Sequence, residues 1–108
     1  MEQAIFKALG DATRRHIFEK LADGPQSATA LRDGMAISQP AMSQHLAVLR
    51  EAGLVQEKRV GRFTEYAVEP QGLAVLGGWL AKYRAYWPER LAGLEALTAE
   101  MERGEKAR

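Results

Sequence analysis

Residues 37–55 read ISQPAMSQHLAVLREAGLV. Ser38 is a good helix N-cap, and Pro40 falls in a first turn where a missing N–H is no loss. Met42, Leu46 and Leu49 recur at i, i+4 and i+7, one side of a helix, and Gly53 supplies the stop. The pattern predicts a helix over Ser38–Arg50. With those three side chains turned to a core, the opposite side at the N-terminal end carries Gln39, Pro40, Ser43, Gln44 and Ala47. These are short or amide side chains, and His45 lies at their edge.

Upstream, Ser27 caps a brief helix through Leu31 that stops near Gly34. Before it, Asp11 caps a helix whose apolar stripe is Ile17, Phe18 and Leu21, with Arg14 in the same register and Gly24-Pro25 as the stop. A short amphipathic helix with Ala4, Ile5, Ala8 and Leu9 comes first and ends at Gly10.

Downstream, the period changes from helical to alternating. Residues 55–60 and 63–68 read as two strands joined by Gly61-Arg62, a Gly-X loop that suits a type II′ hairpin. Thr64, Tyr66 and Val68 share the face that packs on the helices, while the first strand is too polar for a core. Pro70 then opens a long helix. Its Leu73, Leu76, Leu80, Tyr83 and Trp87 form a coiled-coil-like stripe, kinked or broken at Pro88 and resumed by Leu91, Leu94, Leu97 and Met101.

The order of elements is mainly α with a small β-hairpin, a winged helix-turn-helix dimerising through its terminal helices. One domain over residues 1–103 is expected, with 104–108 a frayed tail. Such a motif lays its second helix in the DNA major groove, N-terminal residues at base edges. Gln pairs bidentately with adenine and Ser serves several bases, so Ser38, Gln39, Pro40, Ser43 and Gln44 are the expected base-reading set, with His45 toward phosphate. Lys58, Arg59 and Arg62 on the wing would hold the backbone. A charged edge hairpin that merely discourages aggregation is the competing reading of the wing.

Composition bounds the alternatives. The 108 residues are 46% apolar and 27% charged, with net charge +1. That near-neutral balance does not itself indicate nucleic acid; its distribution does more. No acid stands between Asp33 and Glu51, whereas Glu89, Glu95, Glu100, Glu102 and Glu105 gather late. The absence of cysteine removes disulfides, thiolate metal sites and thiol nucleophiles. Neither a hydrolase elbow, a phosphate loop nor a zinc-protease pair is present, so no enzyme and no cofactor is expected. No apolar run suffices for a membrane helix, and the N-terminus is unlike a signal peptide, so a cytoplasmic protein is expected.

The block Ser38-Gln-Pro-Ala-Met-Ser-Gln-His-Leu46 resembles the helix-turn-helix signature of the ArsR/SmtB repressor family. Phe6-Lys-Ala-Leu-Gly-Asp-Ala-Thr-Arg-Arg15 is similar to its opening and Gly61-Arg-Phe-Thr-Glu-Tyr66 to its wing, a match spanning roughly residues 4–80. The resemblance implies a homodimeric repressor on double-stranded DNA, released by an inducer. Its DNA contacts carry over to Gln39, Pro40, Ser43, Gln44 and His45, with Arg59 and Arg62 in the wing. Pairing would run through the first and last helices, with Ile5, Leu73, Leu76, Leu80, Tyr83, Trp87, Leu91 and Leu94 at the interface.

The departures from the family pattern are specific. Metal-sensing members carry cysteines where this chain has Ala28-Thr-Ala-Leu-Arg-Asp33, and others carry His and Asp on the last helix, where it has neither. No metal site is therefore expected, and the inducer, small molecule or protein, is not named by the residues. Trp79, Tyr83, Tyr86 and Trp87 are read either as dimer packing or as the lining of an aromatic ligand pocket. A winged helix serving as a protein-interaction module or antirepressor, without specific DNA binding, is the alternative function.

Overall fold

A computed structural model describes residues 2–89. The elements are α1 (Glu2–Leu9), α2 (Ala12–Leu21), α3 (Ala28–Arg32), α4 (Gln39–Glu51), β1 (Val55–Val60), β2 (Phe63–Val68) and α5 (Pro70–Ala81). A 3₁₀ turn follows at Arg84–Tyr86. The chain divides into two compact units, 1–77 and 78–108.

In the first unit, side chains satisfy several helix termini. The side chains of Asp11, Ser27 and Ser38 accept from the amides of Arg14, Ala30 and Ala41, capping α2, α3 and α4. The C-terminal carbonyls, which have no partner within their own helix, draw on cations. Arg14 Nε donates to Ala8 O (2.8 Å) and Nη2 to Lys7 O (3.1 Å), and Arg15 Nη1 donates to Leu9 O (2.6 Å), closing α1. Lys20 Nζ closes α3, donating to Leu31 O and Asp33 O at 2.9 Å each.

The core is filled from the first four helices and the bend into the hairpin, with β2 and α5 packing partly buried side chains against it. Ile5 and Ala8, Ile17 and Leu21, Leu31, Met42, Leu46 and Leu49 meet with Ala52, Leu54 and Val55 from the bend into the hairpin. Among the described residues no polar or charged side chain is buried with them. Ile5, expected at a dimer interface, is 1% exposed and belongs to this core. An α1 placed with Ile5 and Ala8 inward turns Phe6 outward instead, 40% exposed.

β1 and β2 pair antiparallel from Val55↔Val68 to Val60↔Phe63. Gly61 has φ +63° and Arg62 is not in the positive-φ region, as the expected type II′ turn requires. A contact that the sequence reading lacked roots the hairpin: Gln26 and Tyr66 exchange backbone hydrogen bonds (3.0 and 2.8 Å), adding a one-residue third strand.

The start of α5 lies on the bend after α4. Gly72 N donates to Gly53 O (2.8 Å) and Glu69 N to Leu54 O (2.9 Å). A Cβ at Gly72 would stand 2.6 Å from Gly53 O and 2.8 Å from Leu54 Cδ2, so glycine is required by proximity.

The long stripe expected from Leu73 to Trp87 does not run on one helix. α5 ends at Ala81, and Lys82 and Tyr83 donate three residues back, to Trp79 and Leu80, in a tightened last turn. Gly77 and Gly78 weaken the helix, and Pro88 forces Trp87 into extended backbone (φ −70°, ψ 137°). Tyr83 and Trp87 therefore lie beyond the helix that carries Leu73, Leu76 and Leu80; the rings of Trp79 and Tyr83 pack at 5.0 Å. Leu91, Leu94, Leu97 and Met101 lie outside the described residues.

Gly72→Ala is expected to destabilise by about 1–2 kcal/mol in urea unfolding, the clash with rigid backbone outweighing alanine's better helix propensity. Gly77→Ala, whose Cβ meets nothing within 4 Å, should stabilise by about 0.5–1 kcal/mol. Asp11 accepts the Arg14 amide and feels its guanidinium, and both hold its carboxyl below the ordinary value. Its contribution to stability is therefore complete above the unfolded-state pKa and is lost as pH falls through the lowered folded one. In thermal melts from about pH 5 to pH 2.5, Asp11→Asn, which still caps, should flatten the acid decline.

Candidate nucleic-acid interface

α4 presents the surface that its sequence foretells. The Ser38 cap starts it, Pro40 sits in its first turn, and Met42, Leu46 and Leu49 are buried along one side. Gln39, Pro40, Ser43 and Gln44 stand exposed at the N-terminal end, and Ala47 is half-buried behind them. Ser38 is exposed too, but its hydroxyl is held by the Ala41 amide (3.2 Å). The turn before α4 is closed by Arg32, whose Nε donates to Ile37 O (3.3 Å).

His45 is placed differently from its neighbours. Consecutive helical residues diverge by about 100°, and the step from Gln44 carries His45 toward α2. There it is half-buried, with Nδ1 3.4 Å from Arg14 Nη1. A guanidinium only donates, so Nδ1 accepts and the ring proton of that arrangement sits on Nε2. Arg14 thus touches the end of α1, the cap of α2 and the flank of α4. Its place in the stripe of α2 gave no sign of these contacts, which span up to 31 residues of sequence.

The wing cations do not share one face. Cross-strand partners do, so Lys58 lies with Glu65, Val60 and Phe63 on the outer side of the hairpin. Arg59 lies with Thr64, Glu57 and Tyr66 on the side where Tyr66 and Val68 pack against the core. Arg62 occupies the turn. Lys58, Arg59 and Arg62 are all exposed.

Arg50, at the C-terminal end of α4, is ion-paired with Glu57 of β1 and so ties the helix to the wing. The two residues stand seven apart across the bend from helix to strand, and no local pattern joins them. Tyr66, opposite Glu57, has its hydroxyl pKa raised, first by burial and then by the Glu57 charge, with Arg50 opposing.

Among the described residues no group of three or more His, Asp or Glu side chains is placed to hold a metal ion. A shallow cleft of about 420 Å³ lies between the start of α2 and the turn before α4, lined by Thr13, His16, Met35 and Ile37 among others. No helix is long and apolar enough to cross a membrane, among the described residues.

The helix-turn-helix domain family matches residues 9–57. The HTH-type transcriptional regulator Rv2034 of Mycobacterium tuberculosis is 40% identical over 92 residues, covering 85% of this chain and 83% of that protein. The transcriptional repressor SdpR of Bacillus subtilis is 32% identical, covering 73% of this chain and 88% of that one. Among solved structures, an ArsR-like transcriptional regulator from Rhodococcus sp. RHA1 superposes with a TM-score of 0.70 at 32% identity, over 89% of this chain and 91% of that one. By these likenesses, and by the helices and hairpin that carry them, the chain belongs to the ArsR family of winged helix-turn-helix transcriptional regulators, DNA-binding proteins that are not enzymes.

Proposed function

We propose that this regulator is a homodimeric repressor that reads an inverted-repeat operator with the N-terminal face of α4 and grips the flanking backbone with its wing. The observation that carries the reading is the exposed set Gln39, Pro40, Ser43 and Gln44, held outward by the burial of Met42, Leu46 and Leu49. Amide and hydroxyl groups at such a helix end suit base edges. Lys58, Arg59 and Arg62 supply charge for phosphate. His45, turned to Arg14, contributes through the seating of α4.

The pairing surface is assigned to α1 and α5. Leu73 and Leu80, seven residues apart on α5, are 41% and 43% exposed, and a second copy would remove them from water. Residues 1–103 then act as one regulator whose C-terminal part serves dimerisation, in the cytoplasm with the chromosome. A chain without cysteine has no thiolate metal sensor, and it carries no His or Asp after residue 69, which favours a small molecule or a protein as any inducer.

The DNA reading is tested by fluorescence anisotropy at several salt concentrations, on a duplex selected from a random library and on its scrambled counterpart. Gln44→Ala should weaken the selected duplex by about 1–3 kcal/mol and leave the scrambled one nearly unchanged. Arg62→Ala should weaken both alike and shrink the salt slope by roughly one charge per subunit. Equal losses for Gln44→Ala on both duplexes, or a full slope for Arg62→Ala, would remove the assignment. Half-sites about one helical turn apart are expected in the selected sequences.

Equilibrium sedimentation tests the pairing. The wild type should be dimeric at micromolar concentration and Leu80→Glu monomeric; a monomeric wild type excludes the dimer.

A further inference from the structure

Charge does not account for the whole tip of the wing. Val60 and Phe63 are the last cross-strand pair before the Gly61-Arg62 turn, share the outer face, and are 45% and 72% exposed. Tyr66 and Val68, on the inner face, pack against the core. A hairpin kept apart from other chains by charge would gain from lysine or threonine at the tip; this one spends its two tip-flanking positions on a valine and a phenylalanine. Lys58 lies on the same face opposite Glu65, Arg62 occupies the turn between the pair, and Arg59 stands beside Val60 on the other face, so the tip is basic by three cations to one acid.

A surface complementary to this tip must be anionic around its edges and apolar in the middle. A second wing fits less well, because it would bring Lys58, Arg59 and Arg62 again with Glu65 alone to oppose them. A DNA minor groove, about 6 Å wide, meets both demands: phosphates line its rims, and the deoxyribose rings of its walls present C–H groups. The two-residue turn makes the tip narrow.

We propose that Val60 and Phe63 form an apolar contact pair seated in the minor groove beside the half-site, Phe63 against the deoxyribose wall, with Arg62 and Lys58 at the phosphates. This rests on the reading of α4 and the wing as the DNA-binding surface. It assigns the wing a second, uncharged source of affinity. Burial of apolar area releases no counterions, so its contribution is independent of salt, unlike that of Arg62.

The experiment compares the wild type, Phe63→Ser and Phe63→Leu by anisotropy across a salt series, on the selected and scrambled duplexes, with hydroxyl-radical footprints of each complex. Phe63→Ser should bind both duplexes about tenfold more weakly at every salt concentration, its log–log salt plot parallel to that of the wild type. Phe63→Leu should retain most of the affinity. Sugar protection on the flank of each half-site should disappear with serine and persist with leucine. Because Phe63 is exposed, both variants should melt as the wild type does, and leucine controls for any disturbance of the hairpin.

Unchanged affinity and footprint in Phe63→Ser would overturn the proposal, as would an altered salt slope. Loss of self-association with DNA affinity intact would overturn it too, by assigning the pair to a protein surface. A wild type that binds no duplex would sink the DNA reading and this proposal together; a wild type that binds, with Phe63→Ser its equal, sinks the wing-tip contact alone.

Discussion

Met42, Leu46 and Leu49 enter the core from one side of α4, and the helix has no freedom to roll while they stay there. A turn of about 100° would bring all three toward water, at a cost of about 1.5–3 kcal/mol each. The total, on the order of 5–9 kcal/mol, matches the whole stability of an ordinary small domain. The outward direction of Gln39, Ser43 and Gln44 is thus a by-product of packing. The same core receives Leu54 and Val55 as the chain bends toward the hairpin, so the position of the wing relative to α4 follows from the same burial. Gly72 then sets α5 down on that bend, where a larger residue would not fit.

What was legible in the sequence is what depends on neighbours a few residues apart. The caps Asp11, Ser27 and Ser38 each act three residues ahead, and the stripe of α4 repeats within two turns. The hairpin is announced by alternation on both sides of one glycine. The features that escaped join distant segments: the Gln26–Tyr66 bridge, the Arg50–Glu57 pair, and Arg14 between three helices. No local pattern reports them, because the polar partner is a main-chain group or a residue chosen by the fold. The end of α5 failed for another reason. A heptad stripe describes what a helix would bury if it continued; whether it continues was decided by Gly77, Gly78 and Pro88, whose local costs the stripe does not contain. The family resemblance set Ile5 at the pairing surface, whereas in this chain its side of α1 faces the core.

The near-zero net charge conceals a division of labour among the cations. Arg14, Arg15, Lys20 and Arg32 donate to main-chain carbonyls, and Arg50 is paired with Glu57. These positive charges complete helix ends and turns, where the partial negative charge of the carbonyls favours them. Lys58, Arg59 and Arg62 stand on the hairpin instead. Formal charge counts both groups equally, so +1 says little about the field that DNA would meet. The set proposed to read bases is itself uncharged, which would separate discrimination from attraction at the level of residue type.

The bridge from Gln26 to Tyr66 also gives the hairpin a fixed base. Tyr66 pairs with Glu57, whose own side chain is tied to α4 through Arg50, so the ladder is clamped on both strands at that rung. Three rungs continue beyond it to Val60 and Phe63, an overhang of about 10 Å at the rise of a strand. The wing is thus a cantilever, tied to the body at its base and supported only by its own ladder at its free end. In the proposed complex, such a beam would carry the tip to the groove while its base stays fixed relative to α4.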